Sequence, residues 1–260
     1  MESTEEVTAQ DLSVRRGFSE WELRVQLAGV YRIFEHFGWC ELIYGHISMR
    51  VPGPEHHFLI NPYGLRYDEI TASSLVKVNL DGNLVEASDF SFNPAGFAIH
   101  SAIHEHCDDA HCIMHTHTRS GMAVAALECG LMPISMNATT FHQRISYHDY
   151  EGSQLFPEER RKLADDLGSA NAMVLRNHGL LTVGRTIPEA FLHAYRLESA
   201  CQVQLDALAC RKNLITLSEA VVRRSAEQME DFGQHASDLG QLEFEALMRL
   251  MDQKDPSFRQ

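Results

Sequence analysis

The chain has 260 residues, 44% of them hydrophobic, and a formal charge of −14. That length suits one large domain with a full core, and so acidic a surface repels nucleic-acid phosphate and anionic lipid, so no nucleic acid and no membrane is expected as a partner. No apolar run approaches the roughly 20 residues of a membrane span, and the acidic start MESTEEVTAQ lacks the basic and apolar regions of a signal peptide.

Residues 1–18 read as a flexible N-terminus. Ser19 with Glu22 is a capping-box pattern, and Leu23, Leu27, Val30, Tyr31 and Phe34 follow at helical spacing until Gly38. From Glu41 to Val85 the pattern changes to short strands and turns, with Asp81-Gly82 as a hairpin signal. PAGFAIHSAIHEHC reads as a helix, HCIMHTHT as a strand and SGMAVAALECG as a helix of small residues. ATTFHQRISYHDYEG holds more strand or loop, and PEERRKLADDLGS is a short amphipathic helix. NAMVLRNHGLLTVG is strand, turn, strand; Thr186 and Pro188 then open a long helix. Residues 19–215 form one α/β domain with mostly antiparallel strands, and 216–260 a helical tail packed on it. There is no Walker loop and no GxGxxG. Cys40, Cys107, Cys112, Cys129, Cys201 and Cys210 are scattered without a CxxC pair, which implies reduced thiols and a cytoplasmic location.

Two histidines at the end of a core strand need a reason. His115 and His117 share a strand face because successive residues alternate. A second buried run, Met173-Val174-Leu175, also ends in polar residues, Arg176-Asn177-His178. If His178 converges on the first two, three imidazoles with open positions form a catalytic metal site, where the ion polarises a carbonyl or stabilises an enolate. His100 and His104, at i, i+4, could bind zinc, but a solvated helix face is the expectation. The cluster His104, His106, Cys107, His111 and Cys112 is a weaker rival, and His56, His57 and His235 read as surface residues.

The ordered segments YGHISMR, INPYGLRYDEITASSLVKVNLDGNLVEAS, NPAGFAIHSAIH, HCIMHTHT, ISYHDYEG and RNHGLLTVG resemble the class II aldolase/adducin family, closest to its adducin-head branch, over roughly residues 20–210. The resemblance implies a three-layer α/β/α sandwich around a mostly antiparallel central sheet. It implies a homotetramer with active sites between subunits, and a divalent metal, zinc first with Mn, Co or Fe as alternatives, on His115, His117 and His178. It also puts substrate contacts at His46, Asn61, Gly64, Gly96 and Asn177.

The chain departs from the family's sugar-phosphate aldolases in one region. Gly96 stands where they carry a catalytic glutamate, and Pro94-Ala95 replace two serines. Tyr63 replaces a small hydroxyl residue and His46 the asparagine of the usual GN turn. A glycine moves no proton, so the acid–base work is expected of His148 and Asp149, near where those aldolases present a tyrosine from a neighbouring subunit. Arg176 and Asn177 are expected to bind a substrate carboxylate or support His178, with Arg66 a further carboxylate candidate against an exposed loop arginine. The expected activity is a metal-dependent carbon–carbon lyase, by retro-aldol reaction or decarboxylation, acting on a small oxo or hydroxy acid. The alternatives are a non-catalytic adducin-like assembly module and a mononuclear iron oxygenase on the same scaffold. The sequence runs to Gln260 without the neck and basic tail that follow the head in animal adducins, which favours the enzyme.

Overall fold

The computed structural model describes residues 18–53, 55–152, 157–235 and 239–260; of the expected flexible N-terminus, residues 1–17 lie outside them. Helix α1 (Glu20–Phe37) starts on the anticipated capping box, with Glu22 accepting the Ser19 N–H at 2.7 Å, and stops at Gly38, whose φ of +70° suits a residue without Cβ. Its periodic residues Leu23, Leu27, Val30, Tyr31 and Phe34 are all buried.

Seven short strands follow: β1 (His46–Arg50), β2 (Phe58–Ile60), β3 (Val76–Val78), β4 (Cys112–Thr116), β5 (Ile145–His148), β6 (Ala172–Leu175) and β7 (Gly179–Gly184). They form one sheet in the order β3-β2-β1-β4-β7-β6-β5, and β5–β6 is its one parallel pair. The helices are α2 (Pro94–His106), α3 (Arg119–Ala125), α4 (Met136–Thr139), α5 (Pro157–Leu167), α6 (Ile187–Ala209), α7 (Glu219–His235) and α8 (Gln241–Lys254).

Strand alternation sorts the core into two layers. Cys112 and Met114 of β4, with Ile47 and Met49 of β1, pack under α1, α6 and α8. Ile113 turns to the other face, where Met173, Leu175, Leu181 and Val183 meet Ile99, Ala102 and Ile103 of α2 and Leu163 and Leu167 of α5. The result is the α/β/α sandwich around a mostly antiparallel sheet. Phe34 and Phe191, in ring contact at 6.4 Å, anchor the first layer; truncating either to alanine should cost about 3–5 kcal/mol. The C-terminal segment joins this layer through Phe244, Met248, Met251 and Phe258.

Two local expectations need correction. The helix after His117 ends at Ala125 rather than running to Gly130. The Asp81-Gly82 turn forms, but a single bridge, Val78 to Leu84, follows it. The Asn79 carboxamide oxygen accepts the Asp81 and Asn83 N–H groups at 3.1 and 2.8 Å, building a side-chain-capped loop in place of a two-residue hairpin. No helix is long and apolar enough to cross a membrane among the described residues, and all six cysteines are free.

Candidate active site

The ends of β4 and β6 converge. His115 is the last residue but one of β4, and His117 lies just past the strand's end, before Thr118 caps α3. His178 arrives from β6 through a tight turn in which Asn177 takes φ +56°, a left-handed conformation that asparagine tolerates. Gly179 permits the approach: a Cβ there would lie 2.3 Å from the Thr116 carbonyl oxygen and 3.2 Å from the His117 ring. Among the described residues, His115, His117 and His178 are the group of three or more His, Cys, Asp or Glu side chains that a metal ion fits.

The hydrogen bonds around this triad decide which nitrogens face inward. His115 Nδ1 donates to the Leu180 carbonyl at 2.9 Å, and His117 Nδ1 to the Glu41 carboxylate at 2.7 Å. A neutral imidazole has one N–H, so Nε2 of both rings is left with a lone pair. Yet His115 Nε2 and His117 Nε2 are 2.8 Å apart, and His117 Nε2 and His178 Nε2 3.0 Å apart. Where both facing nitrogens are bare, as Nε2 of His115 and His117 are in neutral rings, they repel at that distance unless a cation sits between them. A tetrahedral ion with bonds of about 2.05 Å would spread its nitrogens to about 3.3 Å, a small relaxation from this geometry. The donor set therefore fits a divalent cation, and the Glu41 and Leu180 bonds are the outer contacts that orient such ligands. Burial holds the His115 imidazole well below its usual pKa and pushes His178 down to about 4, in each case with neighbouring histidines adding to the effect. Neutral rings are what a metal requires.

His46 stands beside the triad, opposite His115 in the β1–β4 register, with ring centroids 4.8 Å apart. It packs flat against Gly96, where an added Cβ would lie 2.3 Å from His46 Cδ2. The ring thus occupies the room that a side chain at position 96 would need. Behind it the expected solvated face of α2 does not exist. His100 and His104 are buried, and Ser48, the Ala110 carbonyl and His46 Nδ1 satisfy their nitrogens. The i, i+4 spacing was correctly read as one face, but that face lies on the sheet.

Next to His178 opens a cavity lined by Ala95, Ile99, His148, Asp149, Tyr150 and Arg176. His148, buried at the end of β5, bonds through Nδ1 to Asp166 of α5 at 2.7 Å. Its expected neighbour Asp149 is exposed on the cavity rim. Arg176 is committed: its Nη1 donates to the Leu127 carbonyl at 2.7 Å and its guanidinium lies 4.3 Å over the Tyr147 ring. Asn61 is buried, with its Oδ1 2.9 Å from the Tyr31 hydroxyl. Gly64 sits in an exposed turn at φ +105° with nothing within 4 Å of a notional Cβ. Arg66 is an exposed loop arginine, paired with Asp68. In the rival cluster His106 is exposed and Cys107 half-buried, while His111 and Cys112 are buried apart from the triad. His56 is exposed, His57 half-buried, and the His235 side chain lies outside the described residues.

Three contributors escaped sequence reasoning. Glu41 and Asp166 carry no motif. Ser48 had a usable signal, since His46 and Ser48 at i, i+2 on a strand must share a face.

Similarity to known proteins agrees with this fold. The family described as Class II Aldolase and Adducin N-terminal domain matches residues 25–205. The "Putative aldolase class 2 protein" of Caulobacter vibrioides is 44% identical over 92% of this chain and 93% of its own length. Rat alpha-adducin is 43% identical over 88% of this chain, which spans 33% of that longer protein. The solved L-fuculose 1-phosphate aldolase of Glaciozyma antarctica superposes with a TM-score of 0.80 at 27% identity, covering 100% of this chain and 97% of its own.

Proposed function

Since the chain belongs to the class II aldolase and adducin family, we propose that it is a divalent-metal-dependent lyase cleaving a carbon–carbon bond beside a carbonyl in a small oxo or hydroxy acid. The observation that carries this reading is the convergence of three imidazole nitrogens within 4.8 Å of one another. Zinc is the assigned ion; manganese, cobalt and iron suit the same donors. A bound ion would act as a Lewis acid, polarising the substrate oxygen and stabilising the enolate left by bond cleavage.

The protein's own groups account for the rest. His148, oriented by Asp166 through Nδ1, presents Nε2 to the cavity beside His178 and moves the proton. Asp149 lies at the cavity mouth as a second acid–base group. His46 beside the triad and Asn177 next to His178 are assigned to substrate contact, with Asn61 and Gly64 from the turn after β2. Gly96 has no side chain to transfer a proton and no space for one, which argues against a ketose 1-phosphate. The exposed position of Gly64 and Tyr150 suits a pocket completed by a neighbouring subunit in a cytoplasmic homotetramer.

A second reading, an adducin-like assembly module, is favoured by the identity to alpha-adducin. Metal analysis of protein purified without added metal, with a pyruvate-release or carbon-dioxide-release screen over oxo and hydroxy acids, tests the choice. About one metal ion per subunit with turnover supports the lyase. A metal-free, inactive protein supports the module, and oxygen uptake by an iron form would indicate an oxygenase.

A further inference from the structure

A line of buried groups runs from α2 to the metal triad. His104 Nδ1 lies 3.1 Å from the Ala110 carbonyl oxygen, and His104 Nε2 lies 2.8 Å from Ser48 Oγ. Ser48 Oγ is hydrogen-bonded to His100 Nδ1, and His100 Nε2 lies 2.8 Å from His46 Nδ1. All four side chains are buried, with no carboxylate among their hydrogen-bond partners. With no carboxylate to balance a charge, buried imidazoles stay neutral.

The direction of every bond in this line follows from its inner end. A carbonyl only accepts, so His104 carries its proton on Nδ1 and leaves Nε2 bare. The Ser48 hydroxyl must then donate to His104 Nε2. Its one proton is spent, so it accepts from His100, which places that ring's proton on Nδ1. His100 Nε2 is consequently bare and accepts from His46 Nδ1. The last ring therefore holds its proton on Nδ1 and has a bare Nε2. That atom has no hydrogen-bond partner among the described residues. Among the described residues, the fully sealed polar atoms without a partner are Arg50 Nε, His142 Nε2 and Ser146 Oγ, so His46 Nε2 keeps some accessible surface. It belongs to the ring whose face packs against Gly96, 2.7 Å from a notional Cβ there.

We propose that the Ala110 carbonyl, acting through His104, Ser48 and His100, locks His46 as a hydrogen-bond acceptor, and that its bare Nε2 selects ligands that present a hydroxyl group. The hydroxyl donates to Nε2; a ketone or anionic oxygen at the same point meets a lone pair. Between a hydroxy acid and the corresponding oxo acid, the site takes the hydroxy acid. His46 is a specificity-determining residue, and Ser48, His100 and His104 are positioning residues. The ligand class rests on the reading under Proposed function, whereas the tautomer does not.

Neutron diffraction from perdeuterated protein, metal-free and zinc-loaded, reads the deuterons directly. The expected density is on Nδ1 of His46, His100 and His104, with the Ser48 deuteron on the His104 side. A deuteron on His46 Nε2 overturns the proposal, whether or not the protein binds zinc. Calorimetry of the zinc-loaded protein should show L- or D-lactate binding roughly fivefold more tightly than pyruvate, the size of one net hydrogen bond. Ser48→Ala, remote from the ligand, should leave the His46 tautomer mixed and shrink that preference towards unity, and His46→Phe should abolish it. Absence of a lactate preference in the wild type, or its survival in Ser48→Ala, overturns the assignment. Failure of the protein to hold any metal, with the tautomer as stated, would instead sink the lyase reading.

Discussion

Replacing Gly96 by alanine isolates the exchange of a family glutamate for a histidine wedge. The new methyl would stand 2.3 Å from His46 Cδ2 and 2.7 Å from both Cγ and Nε2. The ring cannot swing aside, because Nδ1 is held by His100 at 2.8 Å and its other face lies against His115. Alanine in a helix is favoured over glycine by up to about 1 kcal/mol, but forcing a methyl into a filled site typically costs about 1–3 kcal/mol. Gly96→Ala should therefore be net destabilising by about 1 kcal/mol, measured as a lower urea midpoint at constant m. In a His46→Ala background the contact is gone and the same change should stabilise by the helix-propensity gain, giving a coupling of about 2 kcal/mol. A Gly96→Ala single variant more stable than wild type would refute the steric argument. It would also revive Gly96→Glu as a route to sugar-phosphate cleavage, which this packing forbids.

His115→Ala with His117→Ala should reduce bound metal from about one ion per subunit to none by mass spectrometric analysis; full occupancy would remove the triad assignment. Glu41→Gln should weaken metal binding about 10–100-fold in a chelator competition, since His117 loses the partner that fixes its tautomer. His148→Ala should lower turnover of the true substrate about 10²–10⁴-fold, with Asp166→Asn falling between it and wild type and both binding metal normally. The metal-free protein should lose stability as pH falls. Burial depresses the His100 and His104 pKa values and takes His111 from 6.5 to about 4. The unfolded chain therefore binds protons first as pH drops below 6.5, and the loss accrues down to about 4. Urea midpoints that stay flat over this window would contradict the buried-neutral assignment. Light scattering at micromolar protein should report a homo-oligomer of tetramer mass, and a monomer would remove the shared pocket.

Legibility in the sequence followed the range of each interaction. α1, α2 and α6 were plain because capping residues and helical spacing act within a few residues, as Ser19 with Glu22 and Thr186 with Glu189 demonstrate. The triad was readable because strand alternation makes HTH a geometric statement and NHG ends a second buried run. What stayed hidden depends on packing between distant segments. Glu41 meets His117 across 76 positions, and Asp166 meets His148 from a helix whose pattern is merely amphipathic. His100 and His104 misled because an isolated i, i+4 histidine pair looks solvated. Only the β1–α2 contact supplies the hydroxyl and carbonyl that make its burial affordable.

The line from Ala110 to His46 also bears on how this chain can change. Most surface positions vary one at a time, since their effects add. Ser48, His100 and His104 do not have that freedom. Each accepts on one side because it donates on the other, so a single replacement strands a buried polar atom at both neighbours, at about 1–3 kcal/mol each. The tolerated routes are simultaneous: removal of several polar members together, or substitution by another one-donor, one-acceptor group of the same reach. A random single-substitution library should therefore be depleted at these positions despite their distance from any ligand. Paired libraries at 48 with 100 or 104 should recover folded variants that neither single library contains. The line is thus inherited as one character, with strong epistasis among residues far apart in the chain.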